Sequence, residues 1–170
     1  MRAVPDSLTQ SGPVGRAAAL VRDLGLSRHP EGGFFREVFR SDVRVTPADG
    51  RGARSALTTI DFLLTESQVS RWHQVDSDEV WHFHEGDPLE LWTLSPDMET
   101  IKRHRLGAAG VRHSTVAAGW WQAARSTGAC SLVACTVGPG FDFADFRLAA
   151  DSPVLASALR QRYPDAATLL

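Results

Sequence analysis

The chain has 170 residues, 43% of them hydrophobic and 22% charged, with a formal net charge of −2. That length fits one domain with a real core, and the near-neutral balance gives no electrostatic footing for nucleic acid or an anionic membrane as partner. No apolar run approaches the roughly 18 residues a membrane span needs, and Met1 to Gly12 lacks the apolar stretch of a secretory signal, so a cytoplasmic protein is expected.

Residues 1–12 are polar and contain Pro, Ser and Gln, so they are expected to be flexible, with residues 13–170 forming a single domain. Pro13 to Leu24 reads as a helix: Ala17, Leu20, Val21 and Leu24 recur at helical spacing, Pro13 suits a first turn and Gly25 a stop. Such a helix is expected to lie on the outside of a sheet. His29-Pro30-Glu31-Gly32-Gly33 reads as a turn, and beyond it the chain becomes a series of short strands. These are Phe34 to Ser41, Leu57 to Leu64, Val69 to Val75, Glu79 to His84, Leu89 to Leu94, Thr100 to Leu106, Ser114 to Ala118, Trp120 to Ala124 and Ser131 to Val137. Many short strands with no helix between them mean a sandwich or a barrel. Pro153 to Tyr163 reads as a closing helix with Leu155 and Leu159 on one side. Cys130 and Cys135 sit on one strand at a spacing that sends them to opposite faces, so they are expected to be reduced core residues.

One stretch carries the chemistry. His73 is followed six positions on by Glu79, and Glu79 seven positions on by Gly86. Strand alternation gives His73 and Val75 one face, and Glu79 a face shared with Trp81 and Phe83. His82 and His84 then fall on the face opposite Glu79. This pattern resembles the first signature of the cupin superfamily, G-x5-H-x-H-x3-E-x6-G, with Val75 where the second metal-binding histidine stands. The second signature, P-x-G-x2-H-x3-N, is matched in degraded form by Ala117-Ala118-Gly119-Trp120-Trp121-Gln122, with Gln122 in the place of the histidine. The resemblance narrows to a little-characterised small-cupin family, domain of unknown function 985, often described as epimerase-like. The phrases that carry it start at His29 (His-Pro-Glu-Gly-Gly-Phe-Phe-Arg-Glu), Asp78, Gly86, Gly119 and Pro139. It implies an all-β fold, a double-stranded β-helix or jelly-roll barrel with flanking helices, and a homodimer.

A weaker likeness extends to the nucleotide-sugar 3,5-epimerases, through Gly33-Phe34-Phe35-Arg36-Glu37 and Arg71-Trp72-His73. In those enzymes a histidine removes a proton next to a ketone and a tyrosine returns one from the other side. The one tyrosine here, Tyr163, lies in the expected closing helix, so that acid is missing from the barrel.

Three functions stay open. In the first, the protein is a metal-independent isomerase, epimerase or lyase acting on a small, polar, sugar-like molecule. His73 is its base, since imidazole titrates near neutral pH, and Glu79 orients His73 or acts as a second base. Arg36 and Arg71 are expected to grip a phosphate or carboxylate, Trp81 and Phe83 to form a pocket wall, and Gln122 to bond a substrate carbonyl. In the second, a divalent metal is held by the reduced set His73, Glu79 and Gln122. In the third, the barrel is a non-catalytic binder or sensor.

Overall fold

The computed structural model describes residues 14–170, so the expectations for Met1 to Gly12 and for Pro13 lie outside the described residues. Helix α1 (Gly15–Asp23) comes first, then the strands β1 (Ser27–Arg28), β2 (Phe34–Arg40), β3 (Arg44–Val45), β4 (Arg54–Ser55), β5 (Thr58–Thr65), β6 (Val69–Val75), β7 (Asp78–Gly86), β8 (Leu89–Leu94), β9 (Ile101–Leu106), β10 (His113–Val116), β11 (Trp121–Ser126), β12 (Cys130–Gly138) and β13 (Phe146–Leu148). Helices α2 (Pro153–Arg162) and α3 (Pro164–Ala167) close the chain.

Each strand expected from alternation forms, within two residues at either end. The structure adds β1, β3, β4 and β13, whose two or three residues are too few for a period of two to show. One sheet runs β1-β2-β5-β12-β7-β10 and a second β13-β6-β11-β8-β9, while β3 and β4 form a separate ribbon. Every pairing is antiparallel. The main core lies between the two sheets: Phe62, Trp81, Phe83 and Val133 from the first meet Leu89, Leu91, Leu106 and Ala124 from the second. This is the jelly-roll barrel. Gly86 makes the turn out of β7 at φ +98°, where a Cβ would stand 2.3 Å from the Cys130 carbonyl oxygen.

Helices cover both outer faces. Ala17 and Leu20 of α1 pack on Leu63, Cys130 and Leu132. Leu155 and Leu159 of α2 pack with Ala166 and Leu169 on Trp72, Leu94 and Ala123. Ser152 caps α2 through its hydroxyl, and the Trp72 indole donates to the Ala166 carbonyl at 2.8 Å. Cys130 belongs to the layer under α1 and Cys135 to the barrel interior; both thiols are free. Among the described residues no helix is long and apolar enough to cross a membrane.

Leu159 is 1% exposed at the centre of the C-terminal layer. Leu159→Ala is therefore expected to cost about 2–5 kcal/mol, seen as a lower urea midpoint with the transition still single. A loss under about 0.5 kcal/mol would show that α2 is an ornament and not part of the fold.

Candidate functional site

The barrel interior is graded along its axis. Along β5, Leu64 and Phe62 belong to the apolar core, while Ile60 and Thr58 line a cavity of about 300 Å³. On β7, Phe83 and Trp81 are core and Glu79 lines the cavity; on β12, Val133 is core while Cys135 and Val137 line it. One end is thus packed solid and the other is open, with His29, Glu31, Phe35, Glu37 and Arg40 on one side and Phe141, Asp142 and Phe143 at the rim.

Two β-bulges shape this end of the barrel. Opposite β11, Gln122 pairs with His73 and Ala124 with Ser70, so β6 spends one extra residue between them. Ser70 and His73 therefore share the inner face, where strict alternation would separate them. On β2, Glu37 pairs with Ile60 and Arg40 with Thr58, with Val38 as the extra residue. Glu37 and Arg40 both turn inward in consequence and form a bidentate pair at 2.9 and 2.7 Å.

Glu31 reaches the site from the turn after β1. Its Oε1 accepts from the Ser70 hydroxyl at 2.8 Å. Its Oε2 stands 3.4 Å from His73 Nε2 and 3.5 Å from His29 Nδ1. His73 Nδ1 donates to the Arg71 carbonyl at 2.8 Å, which leaves the Nε2 lone pair toward Glu31. The Glu31 amide donates to His29 Nδ1 at 3.3 Å, so in His29 the proton sits on Nε2. The turn itself is wedged in place. Gly32 has φ +112°, and a Cβ there would stand 2.1 Å from the Val69 carbonyl oxygen. The Arg71 guanidinium donates to the carbonyls of Pro30 and Glu31 and straps the turn to β6.

Glu79, His73 and Gln122 are also brought together. Gln122 donates its amide to Glu79 Oε2 at 2.6 Å and accepts from the Trp81 indole at 2.9 Å. Phe146 of β13 stacks on His73, with ring centroids 5.5 Å apart. Burial dominates the electrostatics. It pushes the Glu31 carboxyl up to about 8, against the pull of the Ser70 hydroxyl and the Arg71 guanidinium. It raises Glu79 as well, against His73, and lowers His73, against Glu79. His29 falls to about 4, through burial first and its neighbour His73 second. Near neutral pH the cluster thus holds two uncharged imidazoles and, in Glu31, an uncharged carboxylic acid.

Several expected positions need correction. Arg36 faces outward beside Asp61, at 3.5 Å, because the parity of β2 up to Val38 sends it away from Phe35 and Glu37. Arg71 spends its donors on backbone carbonyls and does not line the cavity. Trp81 and Phe83 do point inward, but both are packed in the core below the cavity. His73 is 2% exposed and sits behind Glu31. His82 and His84 lie on the face opposite Glu79, as expected, His84 exposed. Strand alternation gives no reason to single out His29, Glu31, Glu37, Arg40, Phe141 or Phe143. The signal for most of them is the family resemblance, whose phrases from His29 and from Pro139 contain His29, Glu31, Glu37, Phe141 and Phe143.

At the positions of the cupin signatures a divalent metal finds a poor donor set. Val75 offers no ligand, and both ends of the Gln122 amide are already bonded. No group of three or more His, Cys, Asp or Glu side chains able to hold a metal ion occurs among the described residues.

The family model described as "Cupin superfamily (DUF985)" matches residues 18–149. The chain belongs to this family. A hypothetical protein from Leishmania major is 32% identical, with a TM-score of 0.77 over 90% of this chain and 95% of that one. A protein from Shewanella oneidensis is 35% identical, with a TM-score of 0.74 over 90% of this chain and 93% of that one. The capsular polysaccharide assembling protein CapF of Staphylococcus aureus, 10% identical, shares the fold alone, with a TM-score of 0.57 over 72% of this chain and 31% of that one. Curated proteins give no match.

In this cupin the Gly32 turn is what delivers Glu31. Gly32→Ala is expected to cost about 2–3 kcal/mol through strained backbone and the clash with β6, measured by urea unfolding. A loss under about 1 kcal/mol would mean that the turn relaxes freely and does not fix Glu31.

Proposed function

We propose that this cupin is a metal-independent acid–base enzyme, isomerase-, epimerase- or lyase-like, acting on a small, polar, sugar-like molecule. The observation that carries the reading is the meeting of Glu31, His73, His29 and Glu79 at the open end of the barrel, beside a 300 Å³ cavity. Burial of this kind is how proteins tune a carboxyl for proton transfer near neutral pH. His73 remains the base, acting through Glu31. Its Nε2 takes the proton that the Glu31 carboxyl releases, and the Glu31 carboxylate then collects the proton leaving the substrate carbon. Return of that proton by the same pair serves an isomerisation on one face. Glu79, the second carboxyl on the wall, is the group for delivery from elsewhere in the cavity. No tyrosine is needed in this scheme. The poor donor set for a metal favours this reading over a metal-dependent one.

The test is exchange of solvent deuterium into keto-sugars, read by mass spectrometry. Wild type is expected to label the carbon next to the carbonyl. Glu31→Gln and His73→Ala are each expected to slow labelling by about 10²–10⁴-fold. Glu31 must shed its proton before it can act on the substrate carbon, and burial holds that proton up to about pH 8, so the rate is expected to rise as pH climbs toward that value and to level off above it. Equal labelling by wild type and both variants would sink the reading.

We further propose a homodimer, in a reducing, cytoplasmic setting that suits two free, buried thiols. Beyond Phe35, β2 has no strand on its β1 side among the described residues, and it carries exposed Val38 and Phe39 near exposed Val43 and Leu57. Phe39→Lys is expected to convert a dimer to a monomer in light scattering. A wild-type monomer would overturn this.

A further inference from the structure

The cavity wall has a charge pattern that proton transfer alone does not call for. Among the described residues four carboxyls line it, Glu31, Glu37, Glu79 and Asp142, against a single guanidinium, Arg40. Glu37 holds that guanidinium through both of its oxygens, and the remaining Arg40 amino group donates to the Phe141 carbonyl at 3.2 Å. Glu79 is hydrogen-bonded to an amide and a thiol, Gln122 and Cys135, beside the uncharged His73, and has no lysine or arginine partner among the described residues. Glu31 is 6% exposed, and its Oε2 accepts no hydrogen bond among the described residues; its neighbours there are two imidazoles that burial keeps uncharged. The Glu31 carboxyl therefore lines the cavity with one oxygen to which no group among the described residues donates. Beside Thr58, Ile60, Cys135 and Val137 the wall also has an aromatic side of Phe35, Phe141 and Phe143, the last two edge to face with centroids 5.0 Å apart.

Carboxyls without a cation, set among phenyl faces, are the complement of an ammonium group. The carboxyls supply charge and acceptors, and the ring faces add cation–π attraction. An anionic group would meet the opposite field, since the one guanidinium is already neutralised. We propose that the cavity takes a ligand bearing a positively charged nitrogen, a small amine of amino-sugar size, whose ammonium docks at Glu31 and Glu79 against the phenyl wall. This deepens the reading above by naming its substrate class. It rests on the same cavity and makes no use of proton transfer to the substrate. It also sets this site apart from one built for nucleotide sugars, whose phosphates need cations. A proton held on Glu31 near neutral pH is displaced as the ammonium arrives, so binding releases a proton to the buffer.

The experiment is titration calorimetry of the whole chain with three probes on one ring: glucosamine, glucose and glucuronate. It is run below neutral pH, where the amine is fully charged, in two buffers of different ionisation enthalpy. Glucosamine is expected to bind about ten-fold or more tightly than glucose, with glucuronate weakest, and to release a proton. Glu31→Gln is expected to abolish the proton release, and Glu79→Gln, a second probe in case the first variant does not fold, to remove the preference for the amine. Glucose or glucuronate binding as tightly as glucosamine overturns the proposal, as does no binding of any probe or a preference that survives in both folded variants. Because turnover is not measured, this outcome is separate from the exchange assay: amine binding without labelling keeps the proposal and sinks the enzyme.

Discussion

An antiparallel strand sends alternate side chains to opposite faces, and one inserted residue reverses that assignment for everything beyond it. The polar end of this barrel depends on two such reversals. The extra residue in β6 turns Ser70 to the same side as His73, and without it the hydroxyl that anchors Glu31 would face the outer layer under α2. The extra residue Val38 turns Arg40 to the same side as Glu37. The β2 reversal lies in a strand that lines the cavity, and the β6 reversal acts on the cavity through Glu31. The packed end keeps strict alternation along β5, where Phe62 and Leu64 face the core and Leu63 faces α1.

This locates the boundary between what sequence reading gets and what it misses. Alternation is a statement about hydrophobic side chains over several residues, and those residues are at the packed end. Phe62, Trp81, Phe83, Leu89 and Leu91 could be placed inside from their period alone, and so could Glu79, two residues before Trp81. The same count from His73 puts Arg71 inside and Ser70 outside, which the bulge reverses for Ser70. Arg71 instead turns to the carbonyls of the Glu31 turn. A bulge carries no reliable mark of composition, so no reading of β6 by itself could have found it. Glu31 was hidden for a different reason. It lies in a turn, and turn residues have no period; only its two glycines signal that backbone must pass close to β6.

The cluster is costly as structure. A carboxyl moved from water to the interior loses solvation, and an ion partner would offset that loss. Neither Glu31 nor Glu79 has a lysine or arginine ion pair among the described residues, though ion pairs are plentiful elsewhere in the molecule. Arg51 and Arg54 converge on Asp145, at 2.9 and 2.7 Å, and hold its carboxyl below the usual range. The chain therefore pairs its buried acid where pairing stabilises, just beneath the Phe141–Phe143 rim, and leaves it unpaired inside the cavity. A barrel under selection for stability alone would fill that end with apolar side chains, as it fills the other.

Asp145 also connects the two kinds of burial. It fixes the segment that runs from Phe141 through Phe143 to Phe146, and Phe146 pairs with Val75 and stacks on His73. The aromatic rim and the imidazole are thus held by one salt-bridged residue, whose partners come from β4 and the loop before it. Rigidity at the rim matters to the carboxyls below. Their pKa values rise because water is kept away, and water is kept away by the same rings that line the entrance. Loosening that segment would admit solvent, lower the cost of ionising Glu31 and return it toward an ordinary glutamate. The ion pairs at the surface of this site and the absence of ion pairs within it are therefore parts of one arrangement: charge is spent on holding the wall so that the interior can go without it.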